Sequence, residues 1–297
     1  MRVLVLGGEG MLGHKVYQVL GERFETFATF VSSQGPWAEL PMYAGSGRTV
    51  PGVNALDLQS MVRAFAKVKP DVVVNCIGIV KQLEEAQDAI LTIRVNSLFP
   101  HQLAELCAAA RARMFHFSTD CVFTGTKGKY TEADPPDARD LYGRTKMLGE
   151  VDRPGCVTLR TSIIGRDFFK QTGLLEWFLS HREGRVNGFK NAIWSGFTTN
   201  ALARIVGDII EEHPQLSGVY QVASEPISKY ELLCRIKLAM DLAVAVEPYD
   251  DPPCDRSLSP ARLVADTGCR LPTWDEMIVG LAADPTPYDD WREKNAT

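Results

Sequence analysis

The sequence predicts an α/β fold. It reads as a Rossmann-type, doubly wound parallel sheet with a smaller, interleaved C-terminal substrate lobe. Three observations carry that reading. Short apolar runs alternate with amphipathic, helix-length segments through the first half of the chain. A glycine-rich turn, "GGEGMLG", falls between the first apolar run and the first helical segment. After Gly165 the strict alternation gives way to shorter, mixed segments.

The elements follow in order. "RVLVLG" is a buried strand, and "MLGHKVYQVL" has helical spacing of Leu12, Val16, Val19 and Leu20. "FETFATFV" is a second strand. Residues 32–52 are rich in glycine and proline and read as loop. "LDLQSMVRAFAKV" is an amphipathic helix stopped near Pro70, and "DVVVNCIG" is a third strand. Residues 84–110 are helical, with a bend expected at Pro100. "RMFHFST" is a fourth strand, "YGRTKMLGEV" a helix and "CVTLRTSIIG" a fifth strand. Beyond it come a short helix at "GLLEWFLS", a long one at "NALARIVGDIIEE", a strand at "GVYQVA" and a helix at "SKYELLCRIKLAM" with Ser228 as N-cap. Continuous apolar strands separated by helices argue for a parallel sheet covered on both faces. The expected division is a nucleotide-binding unit over 1–165, with 191–223 returning to it. Residues 166–190 and 224–297 form the substrate lobe.

Composition narrows the classes. The chain has 297 residues, 45% hydrophobic and 23% charged, with a formal net charge of -5. No basic block points to nucleic acid. The first apolar run stops at Gly7, too short for a signal peptide or membrane span, so a cytoplasmic protein without membrane partners is expected. Seven cysteines without a CxxC pair read as reduced, packed side chains, and no metal motif is present.

Gly7, Gly10 and Gly13 lie three apart, with Met11 and Leu12 between the last two. Glycines there let the backbone turn tightly and approach a pyrophosphate, while the helix start offers free N–H groups. The spacing is GxxGxxG rather than the more familiar GxGxxG. It still points to a nicotinamide dinucleotide, because strand, glycines and helix follow in order. The second strand ends "FATFVSSQ", without an acidic residue for a ribose 2′-hydroxyl. Ser32 and Ser33 with His14 or Lys15 could hold a 2′-phosphate, so NADP(H) is expected and NAD(H) stays open.

Tyr142 and Lys146 are four apart on a helix and share one face. A neighbouring ammonium is expected to lower the tyrosine pKa, suiting proton transfer near neutral pH. "HFSTDCVF" ends the fourth strand, with Ser118, Thr119, Asp120 and Cys121 in sequence. Cys121 has no local base and reads as structural.

"GGEGMLG", "NCIG", "STDCVF" and "YGRTK" together resemble the extended short-chain dehydrogenase/reductases. "STDCVFTG", "SGFTTNALARIV" and the segment from Asp255 onward are most similar to the dTDP-4-dehydrorhamnose reductases, over nearly the whole chain. The resemblance implies reduction of the 4-keto group of a nucleotide-linked deoxysugar. It implies Thr119, Tyr142 and Lys146 as the catalytic set, with Tyr142 as proton donor. It places Asp57 and Leu58 at the adenine, and Cys76, Ile77 and Gly78, after Asn75, beneath the cofactor. Asn96 matches a helix asparagine that serves either the cofactor site or a helix contact. Polysaccharide or glycoconjugate synthesis is the implied setting, and some relatives use magnesium at a subunit contact. Related dehydratases carry a glutamate where this chain has Cys121, so dehydration is not expected.

Arg160, Arg166 and Arg256 are candidates for a substrate diphosphate, Arg256 foremost because Asp255-Arg256 matches a family position. Trp194 could pack on a sugar or base, whereas Trp177 has the spacing of a core residue. Two other readings stay open. One is an NAD-dependent sugar-nucleotide epimerase of the same superfamily. The other is a silent regulatory subunit, like that of an S-adenosylmethionine-making enzyme. A homodimer also stays open.

Overall fold

The structure is a computed structural model that describes residues 1–250 and 253–294. Its strands are β1 (Arg2–Leu6), β2 (Glu25–Thr29), β3 (Thr49–Val50), β4 (Val72–Asn75), β5 (Arg113–Thr119), β6 (Cys156–Thr161) and β7 (Ile163–Ile164). After them come β8 (Arg185–Phe189), β9 (Ala192–Trp194), β10 (Phe197–Thr198), β11 (Gly218–Gln221), β12 (Ile227–Ser228), β13 (Ala245–Tyr249) and β14 (Cys254–Asp255). The helices are α1 (Met11–Gly21), α2 (Leu58–Val68), α3 (Ala89–Thr92), α4 (Phe99–Ala110), α5 (Leu141–Leu148) and α6 (Leu174–Ser180). They continue with α7 (Thr199–Glu212), α8 (Lys229–Ala239), α9 (Ala261–Thr267), α10 (Trp274–Ala282) and α11 (Tyr288–Lys294).

Seven parallel strands form the central sheet in the order β11-β6-β5-β4-β1-β2-β3. The order reverses between β1 and β4. A crevice opens there beyond the strands' carboxyl ends, which is where open α/β sheets bind ligands. The sheet's interior is built from runs such as Val3–Leu6 and Val72–Val74, all essentially inaccessible. α1 and α7 pack together on one face, and their apolar cluster continues into α8 and α10. α2 and α4 cover the other face through Met61, Phe65, Phe99 and Leu103.

Local chemistry sets the element ends. Asp57 caps α2 by accepting from Gln59 N, and Lys69, in the left-handed region ahead of Pro70, closes it. Ser228 caps α8, and Thr273 with Glu276 forms a reciprocal capping box on α10. No helix among the described residues is long and apolar enough to cross a membrane.

Three expectations change. Residues 32–52 are not all loop, because Pro36–Glu39 make a 3-10 turn and Thr49–Val50 add the parallel edge strand β3. Two residues pairing with a neighbour leave no periodicity to read. The irregularity near Pro100 lies N-terminal to it, as a π-helical turn over Ile93–Leu98. Pro100 has no N–H for the Asn96 carbonyl, so the turn widens ahead of it. The end of α5 then closes onto that carbonyl, where a Cβ on Gly149 would stand 1.9 Å from Asn96 O. Outside the central sheet, short strand pairings appear that the sequence did not announce: β12-β9-β14, β13-β8 and β10-β7.

Candidate active site

The nucleotide end is built by the turn after β1. Gly7 sits at φ +83°, where a side chain would be strained. A Cβ on Gly13 would stand 2.0 Å from Gly7 O, so helix and turn can meet only through glycine. Gly10 precedes α1 without a side-chain cap, which leaves the first-turn N–H groups of Met11, Leu12 and Gly13 without a side-chain acceptor. The side chains of Met11 and Leu12 point elsewhere: Leu12 into the core, Met11 under Gly173. A cavity of about 390 Å³ opens beside this turn, lined by Gly7, Glu9, Thr29–Val31, Val53–Leu56, Ile77–Ile79 and Lys170 among others. Its closely approachable backbone, free N–H groups and apolar wall suit a nicotinamide dinucleotide.

Asn96, on the π-helical turn, holds the floor of this cleft. Its Oδ1 accepts from Ile79 N and its Nδ2 donates to Ile79 O, both at 2.9 Å. The turn's extra residue aims this buried amide at the strand end, so Asn96 acts through the Ile77–Ile79 backbone. Asn75 Oδ1 accepts from Ile77 N at 3.1 Å. Burial pushes the Cys76 thiol far above its usual range.

Several assigned roles do not survive. Lys15 is almost fully buried in an ion pair with Asp284 (2.6 Å) and also donates to Thr286. His14 is buried against Tyr288 OH at 2.7 Å, its pKa pushed down to about 4 by burial. Neither can meet a 2′-phosphate, because residues 284–288 fold back over this side of α1. Asp57 turns its carboxylate onto its own helix and Arg63, and Leu58 is exposed, while residues 53–56 line the cavity just ahead of them.

The chemical end lies across β5. Lys146 is fully buried, donates from Nζ to Phe117 O at 2.6 Å, and lies 3.8 Å from where a Cβ on Gly78 would stand. Burial pushes its pKa down to about 8. The Tyr142 phenol lies close enough to the Thr119 side chain for that hydroxyl to favour its ionised form. Thr119 Oγ1 also donates to Asp120 Oδ1 and accepts from Cys121 N, both at 3.1 Å. Tyr142 departs from expectation. Burial, with the nearby Cys121 and Asp120, holds its phenol well above the usual range, while the Lys146 ammonium donates to the Phe117 carbonyl. A phenol held protonated is the form a proton donor needs. Burial raises the Asp120 carboxyl, while Arg256 opposes the shift. The Cys121 thiol is pushed up to about 12, as an inert thiol should be.

Lys146 titration supplies a pH test. The unfolded chain takes up this proton near 10.5 and the folded chain only near 8. The unfolded state therefore binds more protons between those values, and stability rises as pH climbs through the window. The full effect is about 3 kcal/mol. Urea midpoints of the wild type should rise relative to Lys146→Met between pH 8 and 10. Parallel profiles would contradict the buried charge.

Arg160 is not free for a substrate. It is buried, and its guanidinium forks onto Glu150 at 2.8 and 2.7 Å. Arg166 is held by Glu176 and Asp289. Trp194 is buried against Trp274, with ring centroids 5.4 Å apart, and offers no open face to a sugar. Trp177, by contrast, is 38% exposed and packs on His181 rather than in the core. Arg256 does lie at the site, donating from Nε to Phe123 O at 3.0 Å and acting on Asp120 and Cys121. Sequence reasoning missed Glu9 and Lys170 in the cleft. Glu9 was legible only as a variable position of the glycine motif, and Lys170 arrives from a loop distant in sequence.

Comparison with known proteins places this geometry. The family described as RmlD substrate binding domain matches residues 1–281. A probable low-salt glycan biosynthesis reductase of Haloferax volcanii is 24% identical, over 97% of this chain and 99% of its own. A methionine adenosyltransferase 2 subunit beta of Danio rerio is 26% identical, over 97% of this chain and 87% of its own. The solved structure of a dTDP-4-dehydrorhamnose reductase from Bacillus anthracis in complex with NADP superposes with a TM-score of 0.77. It is 18% identical and covers 94% of this chain and 98% of its own.

Proposed function

Because the chain belongs to the RmlD substrate binding domain family of extended short-chain dehydrogenase/reductases, we propose that it reduces the 4-keto group of a nucleotide-linked deoxysugar with a nicotinamide dinucleotide. One observation carries the reading: a half-buried Tyr142 phenol held protonated near Thr119, with Lys146 on the same helix reaching Gly78 of the dinucleotide cleft. The bound dinucleotide supplies the hydride. The carbonyl then takes up one hydride at carbon and one proton at oxygen. Tyr142 Oη gives that proton to the developing alkoxide. Thr119 Oγ1 turns its hydrogen from Asp120 to the same oxygen. Lys146 is close enough to Gly78 to hold the nicotinamide ribose. Fixed donors around a new negative charge are the main source of acceleration.

The test is a panel of 4-keto nucleotide sugars with the reduced dinucleotide. Consumption of the dinucleotide with formation of the 4-hydroxy product is the expected result. Binding of dinucleotide without turnover across the panel would favour a second reading, a nucleotide-binding subunit. That reading draws on the similarity to a protein named as a subunit and on a Lys146 that spends its ammonium on Phe117 O.

A further inference from the structure

Resting on the dinucleotide reading, we infer that Glu9 selects against a 2′-phosphate, so that the chain takes NAD(H) in preference to NADP(H). In Rossmann folds the adenosine ribose lies over the end of the second strand, where an acidic side chain accepts from its 2′-hydroxyl. β2 carries no such residue at that end. The fold supplies one from the glycine turn. Glu9 lines the same cleft as Thr29, Phe30 and Val31, and its Oε1 lies 3.5 Å from Ser32 Oγ. Ser32 is held from its other side by Trp37 Nε1 at 2.9 Å, so its hydroxyl is turned to Glu9 rather than to a ligand phosphate.

A carboxylate here accepts from ribose hydroxyls and repels a phosphate. The repulsion is enhanced in a half-buried cleft, where the effective dielectric is below that of water. The cations expected to favour a phosphate are elsewhere, since His14 and Lys15 are buried beneath residues 284–288. Lys170 is the basic side chain on this stretch of cleft wall. It is exposed, and its charge is opposed by the Glu9 carboxylate it acts on. Burial raises the Glu9 carboxyl, with Ser32 and Lys170 opposing that shift.

The experiment titrates NADH and NADPH separately into the full chain and follows tryptophan quenching, for the wild type and for Glu9→Gln, with melting curves to confirm folding. NADH should bind the wild type at least about tenfold more tightly than NADPH, a modest result for one like-charge contact. Glu9→Gln should bring the two affinities to within about threefold, mainly by gained NADPH binding. Wild-type preference for NADPH, or a ratio unmoved by Glu9→Gln, overturns the inference while the dinucleotide reading stands. Binding of neither dinucleotide overturns both.

Discussion

Tyr142→Phe should lower turnover on a 4-keto nucleotide sugar by about 10²–10⁴-fold, the range for loss of a positioned general acid. The substitution removes one oxygen and leaves a ring of the same shape, so α5 keeps its packing. The phenol lies near Thr119 and is held protonated by desolvation. Nothing nearby replaces it as a donor. The Lys146 ammonium is held on Phe117 O, the Cys121 thiol is pushed up to about 12, and Asp120 already accepts the Thr119 hydroxyl. Dinucleotide affinity should be nearly unchanged, because Tyr142 is not part of the cleft wall described around Gly7 and Ile77–Ile79. Steady-state turnover and dinucleotide titration on the same preparation check both halves. A variant that keeps most of its turnover would remove Tyr142 from the mechanism.

Arg160→Met should cost about 3–5 kcal/mol, the usual penalty for leaving one partner of a buried ion pair uncompensated. The side chains of Arg160 and Glu150 are 7% and 9% exposed. Glu150 also accepts from Ser118 Oγ at 2.7 Å, next to Thr119. Without the guanidinium, the Glu150 carboxylate would keep only the Ser118 hydroxyl and the more distant Lys146 charge. The double variant Arg160→Met/Glu150→Leu should recover most of the loss. Urea unfolding with unchanged slope measures all three chains. A stable Arg160→Met that instead binds substrate weakly would restore Arg160 to the diphosphate site.

The central sheet was legible because its strands are continuous apolar runs bounded by helix-spaced segments. "RVLVLG" and "RMFHFST" fall within one residue of β1 and β5, and "DVVVNCIG" contains β4 but runs three residues past its end. The short strands outside that sheet were not. β9, β10, β12 and β14 are two or three residues long, and their hydrogen-bond partners lie as far apart as Ala192 and Cys254. A pair of that length has no period, and only the folded chain defines it.

The candidate site divides along the same line. Spacing alone put Tyr142 and Lys146 on one helix face and set glycine at 7, 10 and 13, because helix pitch and backbone sterics act between near neighbours. The fates of the isolated charges were decided in three dimensions. Lys15 and Arg160 look alike in the sequence as cations beside a motif. Both are sealed in ion pairs, with partners 269 and 10 residues away. Glu9 was hidden inside the glycine motif until the fold set it against Ser32. Pattern and covalent geometry settled the sheet, the turn and the YxxxK face from the sequence by itself. Only tertiary packing decided which charges remain available and where the tyrosine and lysine titrate. Desolvation and pairing depend on what the rest of the chain brings within a few ångströms.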